Sequence, residues 1–211
     1  MKKQICATVL AGVISMPAMA DYLGVYAGID YQTTTTDHTR NGYTGGFDDT
    51  NNFSGYIAFE HFIPTIPNGK LKYSDLSSER RADATEIDSS VTNAILYYQL
   101  FDNRLFEFDL GLAYTDLETD YQNLSSELAQ AYAAAKLHIP GTGMHAFTEV
   151  ISGSVTDDNA TDAEIGLSYN FNPNSPLLNV SVRAGYRYQD ATIDNFKQES
   201  KGPFAGLEVH F

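Results

Sequence analysis

The chain has 211 residues, of which 13 are basic and 27 acidic, and its formal net charge is −14. This excess of acidic residues argues against nucleic-acid binding, which requires a basic footprint. The single cysteine is Cys6, so the chain beyond it can form no disulfide of its own and offers no thiol for catalysis.

The first twenty residues predict a cleaved secretory signal peptide. Two lysines precede a largely apolar stretch over residues 5–16, and Ala18-Met19-Ala20 has the small-x-small pattern of a cleavage site. An apolar stretch of about a dozen residues is too short to cross a bilayer as a helix. We therefore expect residues 1–20 to be removed and residues 21–211 to form one exported domain.

Most of the remaining chain alternates apolar and polar residues with the period of a β-strand. The clearest stretches are residues 23–31, 106–114, 163–171, 178–188 and 204–211. Globular strands average about five or six residues, whereas tilted strands that cross a bilayer need about nine to eleven. A strand of that length has one apolar and one polar face when one side meets lipid and the other meets a lumen. The alternative, a soluble β-sandwich, accounts less well for these lengths.

The connections between these stretches predict the number of strands. Short connections rich in Pro, Gly, Asn and Asp occur at residues 63–69, 101–104, 140–143 and 172–176. Longer polar connections occur at residues 32–52, 77–89, 116–128, 155–161 and 189–202. Short turns at one end and longer loops at the other are typical of an all-β, antiparallel up-and-down transmembrane barrel.

Ten strands are predicted, with eight as the alternative if the two weakest stretches, near Tyr73 and Phe147, are not strands. The ten centres are Val25, Ile57, Tyr73, Leu96, Leu110, Ala134, Phe147, Leu167, Ala184 and Leu207. The Ala-rich segment 124–137 could be helical by propensity. Its period-2 pattern instead favours a strand from about Ala129, with a helical turn before it in the third loop.

The C-terminus ends on Phe211, with Leu207 and Val209 at alternate positions before it. This pattern resembles the terminal strand of bacterial outer-membrane barrels, which the assembly machinery reads and which closes against the first strand. The resemblance implies that Leu207, Val209 and Phe211 form a C-terminal assembly signal.

The whole chain resembles small Gram-negative outer-membrane β-barrel proteins of uncharacterised function, which are distantly similar to OmpA-type transmembrane barrels. The residues that carry the resemblance are Asp21-Tyr22-Leu23-Gly24-Val25, Glu60-His61 before Ile66-Pro67-Asn68, Tyr97-Tyr98 before Asp102-Asn103, and Phe211. The resemblance implies a barrel fold and an outer-membrane location. It implies no reaction, because the family is defined by its architecture.

Charged residues at inward-facing positions predict a charged layer inside the barrel. Its members are Glu60, Lys72, Glu107, Asp109, Lys136, Arg183 and Glu208. A ten-strand barrel is only slightly wider than the eight-strand size that side chains can fill. The layer is therefore interpreted as a plug in which opposite charges pair. The alternative is a narrow channel for small ions or solutes.

An enzymatic function is the least favoured hypothesis. The candidates at the outer side are His38, Asp48, Asp49, Asp157 and Asp158. Catalysis requires a base held by a third group, and no serine nucleophile motif accompanies them. We expect no catalytic residue, no cofactor and no metal site, although carboxylates in the outer loops suit Ca²⁺ or Mg²⁺.

The predicted role is therefore a structural or surface-interaction one in the cell envelope. The expected location is the outer membrane, reached through the periplasm. The expected partners are outer-membrane lipid, lipopolysaccharide and the assembly machinery, with the protein a monomer and no nucleic acid bound.

Overall fold

The computed structural model describes residues 23–40, 43–48, 50–63, 65–80, 86–154, 158–173, 175, 178–194 and 196–211. The predicted signal peptide lies outside these residues. Within them, no helix is long and apolar enough to span a membrane.

Ten long strands form one closed antiparallel barrel. They are β1 (Leu23–Arg40), β3 (Thr50–His61), β4 (Asn68–Asp75), β7 (Ser89–Asp102), β8 (Phe106–Thr119), β9 (Leu124–His138), β10 (Met144–Ser152), β11 (Asn159–Asn170), β12 (Asn179–Ile193) and β13 (Phe196–His210). Three short strands, β2 (Tyr43–Asp48), β5 (Ser78–Arg80) and β6 (Glu86–Ile87), extend the sheet beside β1. The predicted count of ten is confirmed, and every predicted centre lies in a barrel strand.

The barrel closes where β13 pairs with β1, and we call this pairing the closing seam. It includes Ile29 opposite Leu207 and Asp30 opposite Gly206. A Cβ atom added at Gly202 of β13 would lie 1.8 Å from the carbonyl oxygen of Thr33 on β1. The two strands approach so closely there that only glycine fits.

The two ends of the barrel differ. One end carries the start of β1, the end of β13 and four connections, at residues 62–67, 103–105, 139–143 and 171–178; we call it the turn end. The opposite end, which we call the loop end, carries the three short strands and a 3₁₀ turn at Tyr121–Asn123.

The outside of the barrel is apolar and the inside is polar, the reverse of a soluble protein. On the outer face Leu112 is 72 % exposed and Ile165 is 64 % exposed, whereas the inward-facing Arg187 is only 1 % exposed. Tyr31, which contacts Phe53 edge to face, lies near the loop-end limit of this apolar surface. Such a surface requires lipid around it, because soluble monomers rarely expose apolar patches of more than a few hundred Å².

The strands continue past the apolar surface at the loop end, so three of the predicted loops are wrong. Residues 32–52, 116–128 and 189–202 lie largely in strands: β1 runs on to Arg40, β9 begins at Leu124, and β12 and β13 are separated by two residues. Beyond the lipid the outward face of a strand meets water, while the inward face carries polar residues in β1 and apolar ones such as Leu117 in β8. The period-2 pattern that marks the membrane portion is therefore lost.

The turn predicted in the third loop is present, but the strand after it begins earlier than predicted. A 3₁₀ turn occupies Tyr121–Asn123, with Gln122 and Asn123 at positive φ, and strand pairing resumes at Leu124 rather than near Ala129. The helical propensity of the alanines is overridden by the cross-strand hydrogen bonds of β8 and β10.

Candidate functional site

The barrel interior holds eight charged side chains that ion pairs of 3.3 Å or shorter join into one group, which we call the central charge network. Four are basic and four acidic, so their formal charges balance. They are Lys70, Lys72, Arg183, Arg187, Asp30, Glu149, Asp162 and Glu164. Glu208 adjoins this network, 4.0 Å from Arg183.

Lys72 of β4 is the centre of this network. Its Nζ lies 2.8 Å from Glu149 Oε1, 3.1 Å from Glu164 Oε2 and 3.3 Å from an oxygen of Asp162. The ammonium group can donate three hydrogen bonds, and carboxylates of β10 and β11 surround it. Because the side chain is 2 % exposed, these partners replace water entirely.

Two arginines of β12 complete the network. Arg183 donates to Glu164 at 2.5 Å, and its Nε lies 3.2 Å from Asp30 Oδ1. Arg187 donates from Nε to Asp162 at 2.7 Å and from Nη2 to the hydroxyl of Ser74 at 2.8 Å. The network thus ties β1, β4, β10, β11 and β12 together across the lumen.

A second charged group lies toward the turn end and is mostly acidic. Lys136 pairs with Glu107 at 3.0 Å, and His138 contacts the other oxygen of that carboxylate at 2.6 Å. Glu60 accepts a hydrogen bond of 2.8 Å from the Tyr97 hydroxyl. The side chains of Lys136 and His138 are 31 % and 33 % exposed, so this end of the lumen is open to solvent.

Glu208 and Asp109 are the other acidic members of the turn-end group. Glu208 accepts a hydrogen bond from Tyr56, whose hydroxyl also accepts one of 2.8 Å from Arg183. Asp109 is 7 % exposed, and its Oδ1 has no hydrogen-bond partner among the described residues.

The seven predicted layer residues therefore divide between two levels instead of forming one layer. Lys72 and Arg183 lie in the central network, and the other five lie at the turn end. The predicted layer did not include the other six members of the network, which are Asp30, Lys70, Glu149, Asp162, Glu164 and Arg187. The available signal was the period of two, since Lys70 lies two positions from Lys72 and Arg187 lies four positions from Arg183 on the same strand.

An apolar cluster fills the lumen on the loop-end side of the network. Its buried members are Leu76, Val91, Leu117, Leu128, Ala160 and Ile193. Between the cluster and the network, the hydroxyl oxygen of Thr115 lies 2.7 Å from Asn93 Oδ1 and 2.6 Å from Gln130 Oε1. Cavities of about 10 and 20 Å³ border the cluster, each large enough for about one water molecule.

The three residues of the predicted C-terminal signal lie at the closing seam. Leu207 and Val209 pair with β1 and β12, and Leu207 is exposed on the outer face. The backbone of Phe211 exchanges hydrogen bonds of 2.9 and 3.1 Å with Val25. Their role in assembly stays a prediction.

Of the five candidates of the enzyme alternative, the structure describes the side chains of His38 and Asp158, and these have different hydrogen-bond partners. His38 is buried in β1, where its Nε2 lies 3.0 Å from the hydroxyl of Ser78. Asp158 accepts hydrogen bonds from Ser126 at 2.7 Å and from the backbone of Asp194 at 2.9 Å. The side chains of the other three candidates lie outside the described residues. Among the side chains that are described, no group of three or more His, Cys, Asp or Glu is placed to hold a metal ion.

An apolar outer face, a polar interior and full closure define a membrane-spanning β-barrel. No protein-family model matches the sequence, and no curated protein is similar to it. Among solved structures the chain is similar to Gram-negative outer-membrane barrels.

Three of these structures illustrate the low level of similarity. Neisserial surface protein A is 17 % identical, with 89 % of this chain and 97 % of that one covered and a TM-score of 0.38. The outer-membrane protease OmpT from Escherichia coli is 6 % identical, with 93 % and 98 % covered and a TM-score of 0.49. Ail, the attachment invasion locus protein of Yersinia pestis, is 11 % identical, with 89 % and 99 % covered and a TM-score of 0.36.

Proposed function

We propose that this chain is a non-conducting outer-membrane β-barrel that acts in the cell envelope through its loop-end surface, in a structural or surface-interaction role. The observation that carries the proposal is the filling of the lumen. A balanced, buried charge network and an apolar cluster occupy it in series. Ions would have to break several buried ion pairs and then cross an apolar layer to pass.

The orientation follows from barrel asymmetry, in which short turns face the periplasm. The loop end then faces outward, and among the side chains that the structure describes there, carboxylates outnumber the basic groups, which are those of Lys197 and Lys201. The acidic residues are Asp37, Asp75, Asp88, Asp116, Glu118, Asp120, Glu127, Asp158, Asp190, Asp194 and Glu199.

This acidic surface supports the proposed partners. Lipopolysaccharide is anionic and is bridged by divalent cations, which carboxylate oxygens can share. The proposal includes outer-membrane lipid, lipopolysaccharide and the assembly machinery as contacts. It includes a monomeric state, and it assigns no reaction and no nucleic-acid partner.

The test is conductance of the refolded protein in a planar bilayer, after migration on a gel with and without heating has shown that the barrel is folded. We expect wild type to be silent. The Leu117→Ala, Leu128→Ala variant, which thins the apolar cluster, should show brief small openings. The matched control is Leu96→Ala, Leu112→Ala, which makes the same change on the lipid-facing surface and should stay silent.

The alternative of a narrow channel makes the opposite prediction for wild type. Discrete, charge-selective openings in wild type, altered by Glu107→Gln with Lys136→Met, would overturn the proposal and identify the lumen as a pathway.

A further inference from the structure

A cavity of about 70 Å³ lies inside the turn end, between the central charge network and solvent. We call it the turn-end vestibule. Inward-facing Ala58 and Ala134 line it together with larger residues, and these two small side chains leave the space. Ala134 lies directly across from Asp109 in the pairing of β8 with β9, so the space opens beside that carboxylate.

The cations around the vestibule are already paired. Lys136 contacts Glu107 at 3.0 Å, Lys70 contacts Glu149, and Arg183 donates to Glu164 at 2.5 Å. Arg183 also lies 4.0 Å from Glu208, but none of the three cations forms an ion pair with Asp109 or Glu60 among the described residues.

Two carboxylates of the vestibule, those of Asp109 and Glu60, form no ion pair with a described residue. Asp109 is more than nine-tenths buried, and its Oδ1 has no hydrogen-bond partner among the described residues. Glu60 accepts a hydrogen bond from the Tyr97 hydroxyl. A buried charge without a partner is costly, so the site has an unmet preference for positive charge.

Aromatic rings complete the wall. Tyr97 and Tyr132 contact each other with ring centroids 5.5 Å apart, and both line the cavity, as does Tyr26. Ring faces attract organic cations in addition to the attraction of a carboxylate. Ser168, which is buried and has no hydrogen-bond partner for its hydroxyl among the described residues, adds one more polar contact.

From this arrangement we propose that the turn-end vestibule binds a small organic cation with an ammonium head, held by Asp109 and Glu60 against the tyrosine rings. The volume of about 70 Å³ admits a ligand of about two to three heavy atoms, judged against about 30 Å³ per water molecule. The proposal is independent of the sealed lumen, since the vestibule opens at the turn end whether or not the barrel conducts.

The experiment is a titration of the folded protein in micelles with ethylammonium chloride at constant ionic strength, followed by NMR of ¹³C-labelled alanine methyl groups. Ala58 and Ala134 report on the vestibule, and Ala160 of the apolar cluster is the internal reference. A three-heavy-atom ligand binds no more tightly than a Kd of about 0.5 mM. We expect saturable shifts at the first two methyl groups in the millimolar range, and none with ethanol or acetate.

Two variants test the proposed contacts. Asp109→Asn keeps the shape and should weaken binding about tenfold to a hundredfold, the loss of a charge-assisted hydrogen bond. Ala134→Leu fills the cavity and should abolish the shift at Ala58. The matched control, Asp116→Asn, removes an outer carboxylate of the same strand and should bind as wild type does.

Absence of saturable shifts in wild type would overturn the proposal, as would equal binding by Asp109→Asn. If Asp116→Asn weakened binding as much as Asp109→Asn does, the cation would be attracted by the overall charge of the protein and not by the vestibule. That result would also overturn the proposal. None of these results changes the conductance test of the sealed lumen.

Discussion

The two halves of the lumen hold charge in different ways. Toward the loop end, four basic and four acidic side chains are buried, balanced and covered by an apolar cluster. Toward the turn end, carboxylates outnumber the single Lys136, and side chains such as His138 are partly exposed. This difference indicates that the barrel fully buries charged side chains only where other side chains of the protein neutralise them. Where they do not, solvent or a ligand must take part.

The largest expected effect comes from removing one cation from the central charge network. Arg187→Met leaves Asp162 and Glu164 buried with one cation fewer, and such losses cost about 3–5 kcal/mol. We expect the free energy of unfolding, measured by urea titration in lipid vesicles, to fall by this amount.

Lys197→Met is the matched control for that variant. Its Nζ lies 2.7 Å from Asp190, but its side chain is 44 % exposed, so its removal should cost less than about 1 kcal/mol. Equal losses for the two variants would show that burial does not distinguish these ion pairs.

A smaller effect is expected in the turn-end half. Lys136→Met should lower the free energy of unfolding by about 1 kcal/mol, because the Glu107 it leaves behind retains His138 and solvent contact. Adding Glu107→Gln should recover most of the loss. If Lys136→Met lowered the free energy of unfolding as much as Arg187→Met does, the proposed difference between the two halves of the lumen would be wrong.

The smallest effect concerns a pair outside the membrane, in the strand extensions of the loop end. Lys201 donates a 2.9 Å hydrogen bond to Glu199, which holds the pKa of that carboxyl below its ordinary value. The pair therefore stabilises the fold above the ordinary carboxyl pKa, and this contribution is lost as the pH falls through the lowered pKa.

Lys201→Met should accordingly raise the pKa of Glu199 toward its ordinary value, as followed by carboxyl ¹³C NMR titration. Lys197→Met should raise it less, since that Nζ lies 4.0 Å from Glu199. An unchanged pKa in the first variant would show that the hydrogen bond is not formed in solution.

The sequence was most informative where lipid imposes a pattern. Ile165 and Leu167 on the outside, for example, alternate with Glu164 and Ser168 on the inside, and such alternation was enough to predict ten strands and their centres. It failed where lipid ends, as in β1 beyond Tyr31, because both faces there carry polar residues.

The interior was harder to predict from sequence. Inward charges were recognised by their position in each strand, but their partners depend on how distant strands face each other across the lumen. Lys72 meets Glu149, which is 77 positions away and on a strand that does not neighbour its own. The division into a balanced and an acidic half depends on many such contacts, so it could not be derived from single-strand patterns.

The closing seam has a consequence for how the chain folds. Its contacts have the largest sequence separations in the molecule; Thr36 and Ser200, for example, meet at 2.9 Å across 164 positions. Contacts between residues so far apart in sequence form late. Closing a loop of almost the full chain length costs conformational entropy before the contacts can form. Until then β1 and β13 are both unpaired edges, open to pairing with other chains. The time before β13 reaches β1 is therefore the interval in which this protein is most exposed to aggregation.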